Sequence, residues 1–262
     1  MNDAVRAARS RPRIRRVRDL TLIEHGDDTW VVACDSIGGI GPKPQDAVSA
    51  SHREVAYFAV RVPLLELLAA GAEPVVIADT LCVEMDPTGI EMIAEIRRVA
   101  REVGLDPDVA VTGSTEDNVP TVATGVGVTV IGCVRDRLRP GTARVGQAVV
   151  CLGFPRSAPH DTVMIDDPVH VGLNDVRALH QIDGVTDIVP VGSHGVAFEI
   201  EALAHSAGLV ASLAPQEAVD LTRSGGPATV VLAAIDPSAI DAVRAIRPDL
   251  PVTVVATLEE QP

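Results

Sequence analysis

Aromatic side chains are nearly absent from this chain: three Phe, one Tyr and one Trp make up 2% of 262 residues whose hydrophobic share is 47%. A core of ordinary density must then be filled with Val, Ile, Leu and Ala, side chains that suit strands buried between helices. Layers of helix and sheet follow more readily than an aromatic-rich sandwich, and the length allows one large domain or two modest ones.

The formal charge of -14 argues against sequence-independent binding to nucleic acid, which draws its affinity from Lys and Arg on phosphates. No apolar run reaches the roughly 18 residues of a membrane span, and no hydrophobic block opens the chain, so the expectation is a cytoplasmic protein with no membrane partner. Cys34, Cys82, Cys133 and Cys151 lack the spacing of a zinc or redox site and read as buried, reduced thiols. His52, His160, His170, His180 and His205 read as surface or satisfied core residues. Residues 1–19 form a basic arm carrying Arg6, Arg9, Arg11, Arg13, Arg15, Arg16 and Arg18. It is either a solvated, flexible arm or a segment that folds over an anionic ligand.

Leu20 to Glu24 and Thr29 to Cys34 read as a hairpin around His25-Gly26-Asp27-Asp28. The Gly- and Pro-rich stretch from Ser36 to Pro44 argues against regular structure and lets backbone approach a ligand. Apolar spacing predicts a helix from Glu54 to Ala70, with a kink or restart at Pro63, and then a strand from Pro74 to Met85. Thr88 and Glu91 have the spacing of a capping box for a helix that stops at Gly104. Strands are expected at 109–111 and 122–134, and a domain boundary near residue 145 separates residues 20–145 from 146–262. In the second half the expected strands are 147–153 and 229–235, the helices 173–181 and 196–207, and a last pair spans 238–257.

Acids recur where the first half is otherwise apolar or turns tightly: Asp35 at a strand end, Glu66 on a helix, Asp79 in a strand, and Glu116 with Asp117 after another. Singly, each reads as a surface carboxylate or a helix cap. Together beside a glycine loop they read differently, because converging carboxylates repel unless a cation or a shared proton intervenes. Hard oxygen ligands suit Mg²⁺, and backbone N–H groups of a Gly-rich turn suit phosphate.

These segments resemble a known family. Cys34-Asp35-Ser36-Ile37-Gly38-Gly39 is similar to the Thr-Asp-Gly-Val-Gly turn of aminoimidazole ribonucleotide synthetase, and Leu65-Glu66 through Gly71-Ala72-Glu73-Pro74 resembles its Asn-Asp helix ending in Gly-Ala-Glu-Pro. Asp79 falls where that family carries an Asp, and Thr112-Gly113-Ser114-Thr115 is similar to its Gly-Gly-Glu-Thr segment. Val191 to Glu199 resembles a loop and helix start that opens with Asp-Gly-Gly-Leu in relatives. The resemblance implies a two-domain α/β (PurM-like) fold: an N-terminal mixed sheet with flanking helices that dimerises through its sheet, and a C-terminal α/β domain.

The same resemblance implies ATP and Mg²⁺ as cofactors, a small-molecule substrate and a homodimer. Asp35, Glu66, Asp79 and Glu116 would hold metal. Gly38, Gly39, Gly41 and Lys43, with Gly113, Ser114 and Thr115, would cradle the nucleotide, and Asp117 or His194 would orient an acceptor hydroxyl. Ser114 stands where relatives have an acid, so Glu116 or Asp117 takes that role or one metal is lost. Residues expected of selenophosphate synthetase and of the hydrogenase maturation protein are missing, which disfavours those functions. The Asp-Ser-Ile-Gly-Gly-Ile-Gly form and Ser224-Gly225-Gly226-Pro227 look most like the α-ribazole kinase branch. The reading is therefore a small-molecule kinase, with an ATP-dependent cyclo-ligase or an inactive nucleotide-binding regulatory protein as alternatives.

Overall fold

The computed structural model describes residues 11–261; Arg6 and Arg9 of the basic arm lie outside the described residues. Strands β1 (Arg13–Val17), β2 (Leu20–His25), β3 (Asp28–Gly38), β4 (Ala72–Leu81), β5 (Val111–Thr115) and β6 (Gly125–Val134) form one sheet in the order β1-β2-β3-β6-β4-β5. It is mixed, antiparallel except for the parallel β4–β5 pair. Where a flexible arm was expected, Arg13–Val17 is an edge strand whose Arg13 and Arg15 face Glu24 across the register. β3 also runs four residues past Cys34 into the stretch read as irregular, because Asp35 to Gly38 pair with β6.

Helix α1 (His52–Ala69) covers one face of that sheet, opened by a capping box in which Ser51 Oγ accepts from Glu54 N at 3.2 Å and Glu54 accepts from Ser51 N at 2.8 Å. It continues through Pro63 without the expected restart, since nearly every residue around the proline is buried and packing outweighs one lost hydrogen bond. The capping box expected at Thr88 and Glu91 does not form. The helix α2 (Ile90–Glu102) starts at Gly89 with no side-chain cap, Thr88 donates instead to Glu84, and Glu91 sits 2.7 Å from His52 Nδ1. A short helix α3 (Pro107–Ala110), capped by Asp106, takes up Val109 and delays β5 to Val111.

The second half holds β7 (Ala148–Leu152), α4 (Leu173–Leu179), β8 (Val185–Pro190), α5 (Val196–Ser206), β9 (Leu209–Leu213), β10 (Val231–Ile235), α6 (Ile240–Ile246) and β11 (Val252–Glu260). Its five strands are antiparallel in the order β8-β10-β7-β11-β9. β7 and β10 are buried at every position because α5 packs on one face while α1 and α4 fill the other. One apolar core thus joins both halves around α1, whose Leu64, Leu65, Leu67 and Leu68 share it with Val150, Val176 and Ile188. The first sheet, by contrast, leaves its outer face uncovered, where Thr21, Val32, Ile131 and Val76 form one cross-strand row, each partly exposed.

Polar clamps fix the halves. Arg61 on α1 is 2% exposed; its guanidinium donates to Pro227 O at 2.8 Å, Ala228 O at 2.7 Å and Val171 O. Arg18, in the β1–β2 turn, reaches Asp187 Oδ2 at 2.5 Å, and Asp187 also accepts from Gly141 N. Two thiols, Cys34 and Cys82, are exposed rather than buried, since the outer sheet face is open; Cys133 and Cys151 are buried.

Replacing Arg61 with Met keeps the apolar stem and leaves three carbonyls without their donor. Stability should fall by about 3 kcal/mol. The exposed Arg244→Met, which loses one surface pair with Asp241, should change it by less than about 0.5 kcal/mol. Urea unfolding monitored by circular dichroism measures both.

Candidate functional site

A cleft of about 830 Å³ opens between the two halves. One wall is the end of β3, Asp35 to Gly38, with Glu54, Phe58, Val62 and Glu66 of α1; the other is the loop from Ser157 to Val163 with Gly192, Ser193 and His194. Phe198 and Glu199 of α5 and the turn from Ser224 to Ala228 close the far end. Arg61 fixes that turn from beneath through its bonds to Pro227 and Ala228.

The carboxylates Asp19, Asp35, Glu66 and Glu199 line this one cleft. Burial first, then the charges of Asp19, Asp35 and Glu199, push the Glu66 carboxyl up to about 8. Glu199 is raised to about 7 by burial and by Asp19, and Asp35 is raised by burial. Glu66 Oε2 is buried with no hydrogen-bond partner. Carboxylates lining one cleft, one of them with an orphaned oxygen, fit a divalent cation.

Of the acids expected to hold metal, Asp35 and Glu66 meet in the cleft, whereas Asp79 and Glu116 do not join them. Asp79 lies on the same face of the sheet as Asp35, both paired with Val128, so β6 separates the two by about 10 Å. Asp79 is 3% exposed, and its carboxyl is raised to about 6 by burial and has an unpartnered Oδ1. Glu116 accepts from Asn118 N at 2.9 Å in a surface turn. Among the described residues no three His, Cys, Asp or Glu side chains converge on one point. Mg²⁺ does not require that, because it is commonly held by one or two carboxylates with nucleotide phosphates and water.

The expected nucleotide cradle divides in the same way. Gly38 lines the cleft, and Gly38 and Gly39 have open space beside them. Gly41 is packed instead: a Cβ there would meet Thr124 Oγ1 at 2.3 Å. Gly113 makes room for its neighbour, since a Cβ would lie 2.2 Å from Asp79 Oδ1. Lys43 is committed elsewhere, its Nζ 2.7 and 2.8 Å from the Glu84 oxygens, and that contact is the main reason the Glu84 carboxyl is held down to about 2. Glu84 also accepts from Thr121 Oγ1, so this pair ties three loops together. Ser114 is exposed opposite Thr80, and Thr115 Oγ1 donates to Asp117 at 3.3 Å. Asp117 further accepts from Met85 N at 3.1 Å, whereas His194 lines the cleft with its ring 4.6 Å from that of Phe198.

The sequence reading missed Asp19, Glu199, Phe198 and His160. Asp19 sits inside a basic run, Phe198 and Glu199 lie in the segment that resembles a family loop and helix start but were given no role there, and His160 carries no flanking motif.

Because the folded protein keeps the Glu66 proton up to about 8, while an unfolded chain releases it near 4.5, stability should fall as pH rises through that window. In Glu66→Gln this contribution disappears, so the stability curve between pH 5 and 8 should be flatter than wild type. Urea midpoints measured across that range provide the check, and equal slopes would remove Glu66 as the cause.

Residues 18–134 match the family described as AIR synthase related protein, N-terminal domain. No curated protein matches the chain. Among solved structures it is similar to thiamine-monophosphate kinase from Stenotrophomonas maltophilia, with a TM-score of 0.64 and 16% identity, covering 99% of this chain and 93% of that one. It is similar to PurLQS from Thermotoga maritima with a TM-score of 0.68 and 18% identity, covering 99% of this chain and 45% of that one. Hydrogenase maturation protein HypE in complex with ATP gives 0.62 and 15%, covering 87% and 77%. At these identities the solved structures speak for fold. The two-sheet architecture is thus the fold of these solved structures, and residues 18–134 are similar to the AIR synthase related N-terminal domain.

Proposed function

We propose that the protein transfers the γ-phosphoryl group of ATP to a hydroxyl of a small nucleoside-like molecule, a cofactor precursor such as α-ribazole. The observation that carries this reading is the cleft itself, which brings Asp35 and Glu66 together with the small residues Gly38, Gly192, Ser193 and Ser224. ATP bound to HypE, a protein of the same fold, supports the donor.

In the transfer, a bond forms between the acceptor oxygen and the γ-phosphorus, the bond from that phosphorus to the β–γ bridging oxygen breaks, and ADP leaves with the electron pair. His194 faces the cleft and is the residue that takes the hydroxyl proton, while Asp117 stays engaged in its loop. Asp35 and Glu66 would hold Mg²⁺, which supplies positive charge against the triphosphate. Gly38 leaves room for backbone and phosphate to approach closely. The enclosing loop from Ser157 to Val163 limits competing attack by water.

Asp35→Asn is expected to remove turnover by at least about a hundredfold while circular dichroism and the unfolding midpoint stay near wild type. A transfer screen with γ-labelled ATP and a panel of nucleosides reads this. Label recovered as free phosphate with a dehydrated product would move the assignment to the cyclo-ligase type.

The uncovered face of the first sheet supports a homodimer, since Val32, Val76 and Ile131 would otherwise remain half exposed. Sedimentation should report a dimer, and Ile131→Glu should yield a folded monomer. A wild-type monomer at micromolar concentration would remove this part of the proposal.

A further inference from the structure

The described residues that line the cleft include no Lys or Arg, so phosphates bound there would find cations only in side chains rooted beside the lining. Arg18, Arg53, Arg61, Arg156 and Arg223 each directly precede a lining residue. Most of them are committed elsewhere. Arg61 donates to its three carbonyls, while Arg18, Arg53 and Arg156 pair with Asp187, Glu95 and Asp167. Those acids have side chains at most 6% exposed and lie outside the cleft lining. Drawing Arg18 or Arg156 toward the cleft would strand a buried carboxylate away from water.

Arg223 differs. Its guanidinium is 34% exposed, and its one hydrogen-bond partner among the described residues is Asp161, which itself lines the cleft. The backbone around it is fixed: Arg223 N donates to Asp220 O at 3.2 Å, Ala197 N donates to Leu221 O at 2.7 Å, and a Cβ on Gly195 would lie 3.0 Å from Arg223 O. The side chain therefore turns from a rigid root. Asp161, for its part, closes a turn with Ser157: Asp161 N donates to Ser157 O at 2.9 Å, and Ser157 N donates to Asp161 Oδ2 at 2.9 Å. That turn keeps its own bonds when Arg223 lets go, and a carboxylate at the cleft wall regains water.

We propose that Arg223 is a phosphate-binding residue of the cleft, paired with Asp161 in the ligand-free protein and passed to the phosphates of a bound nucleotide. This rests on the reading of the cleft as an ATP site. Asp35 and Glu66 stand on one wall, and Asp161 with its arginine stands on the other, so the triphosphate is neutralised from both sides. A planar guanidinium donates two parallel hydrogen bonds to phosphate as it does to carboxylate, and the triphosphate carries the larger charge. The exchange couples the loop from Ser157 to Val163 to the occupancy of the cleft.

Calorimetric titration of the full chain with ATP and with tripolyphosphate, each with Mg²⁺, tests this. Arg223→Met should weaken both ligands at least about tenfold, as loss of one charge-assisted pair does. Arg223→Lys keeps the charge without the fork and should weaken both at least about threefold. Asp161→Asn should tighten both, because Arg223 no longer leaves a carboxylate to reach phosphate. Circular dichroism and urea midpoints show whether each variant is folded. If Asp161 and Arg223 merely clasp the loop, Asp161→Asn weakens binding just as Arg223→Met does; if Arg223 acts only through its field, Arg223→Lys equals wild type. Either result, or unchanged affinity in folded Arg223→Met, would overturn the inference. Should the Arg223 variants fail to fold, Asp161→Asn decides alone, and weaker or unchanged binding overturns it. Equal ATP affinity in wild type and variants removes Arg223 and leaves the ATP reading standing, whereas a wild-type protein that binds neither ligand removes both.

Discussion

The contact of Arg61 with three backbone carbonyls is the constraint on which the two halves depend. A guanidinium that is 2% exposed is costly to bury, and burial lowers its pKa from the ordinary arginine value. Its donors meet Val171, Pro227 and Ala228, carbonyls that would otherwise lack partners at the junction. The bond directions specify how α1 sits against the second half, which the shared Leu and Val core could not do alone, since apolar contact has no preferred orientation. Arg18 with Asp187 repeats the device at the edge of the first sheet.

That junction also makes the cleft, because the turn held by Arg61 forms part of its lining. The carboxylates gathered there are destabilised by burial and by one another, as the raised pKa of Glu66 and Glu199 records. A fold that holds charges in this state stores a preference for whatever cancels them, either protons or a cation. The turn that Arg61 holds thus belongs both to the junction and to the cleft, and closure of the junction brings Asp19 and Glu199 into one cleft with Asp35 and Glu66.

Much of the first half was legible along the chain. The hairpin, the long helix after Ser51 and the strand that carries Asp79 follow from period and from turn residues, and their limits shift by only a few residues. Misreadings came where tertiary partners overrode a local signal. Pro63 is tolerated within a buried helix, and Thr88 serves Glu84 instead of a helix end. The strands at Val185–Pro190 and Leu209–Leu213 are short and carry no alternation strong enough to separate them from loops.

Composition and periodicity alone determined a Val-, Ile-, Leu- and Ala-filled α/β architecture and set Asp35 beside a glycine turn, because both properties are written in consecutive residues. The tertiary structure decided which acids meet. Asp79 was separated from Asp35 by the width of one strand, Glu116 was turned to the surface, and Asp19 and Glu199 were brought in from positions 180 residues apart. Electrostatic coupling depends on distance through space, and only the closure of two sheets around α1 sets that distance.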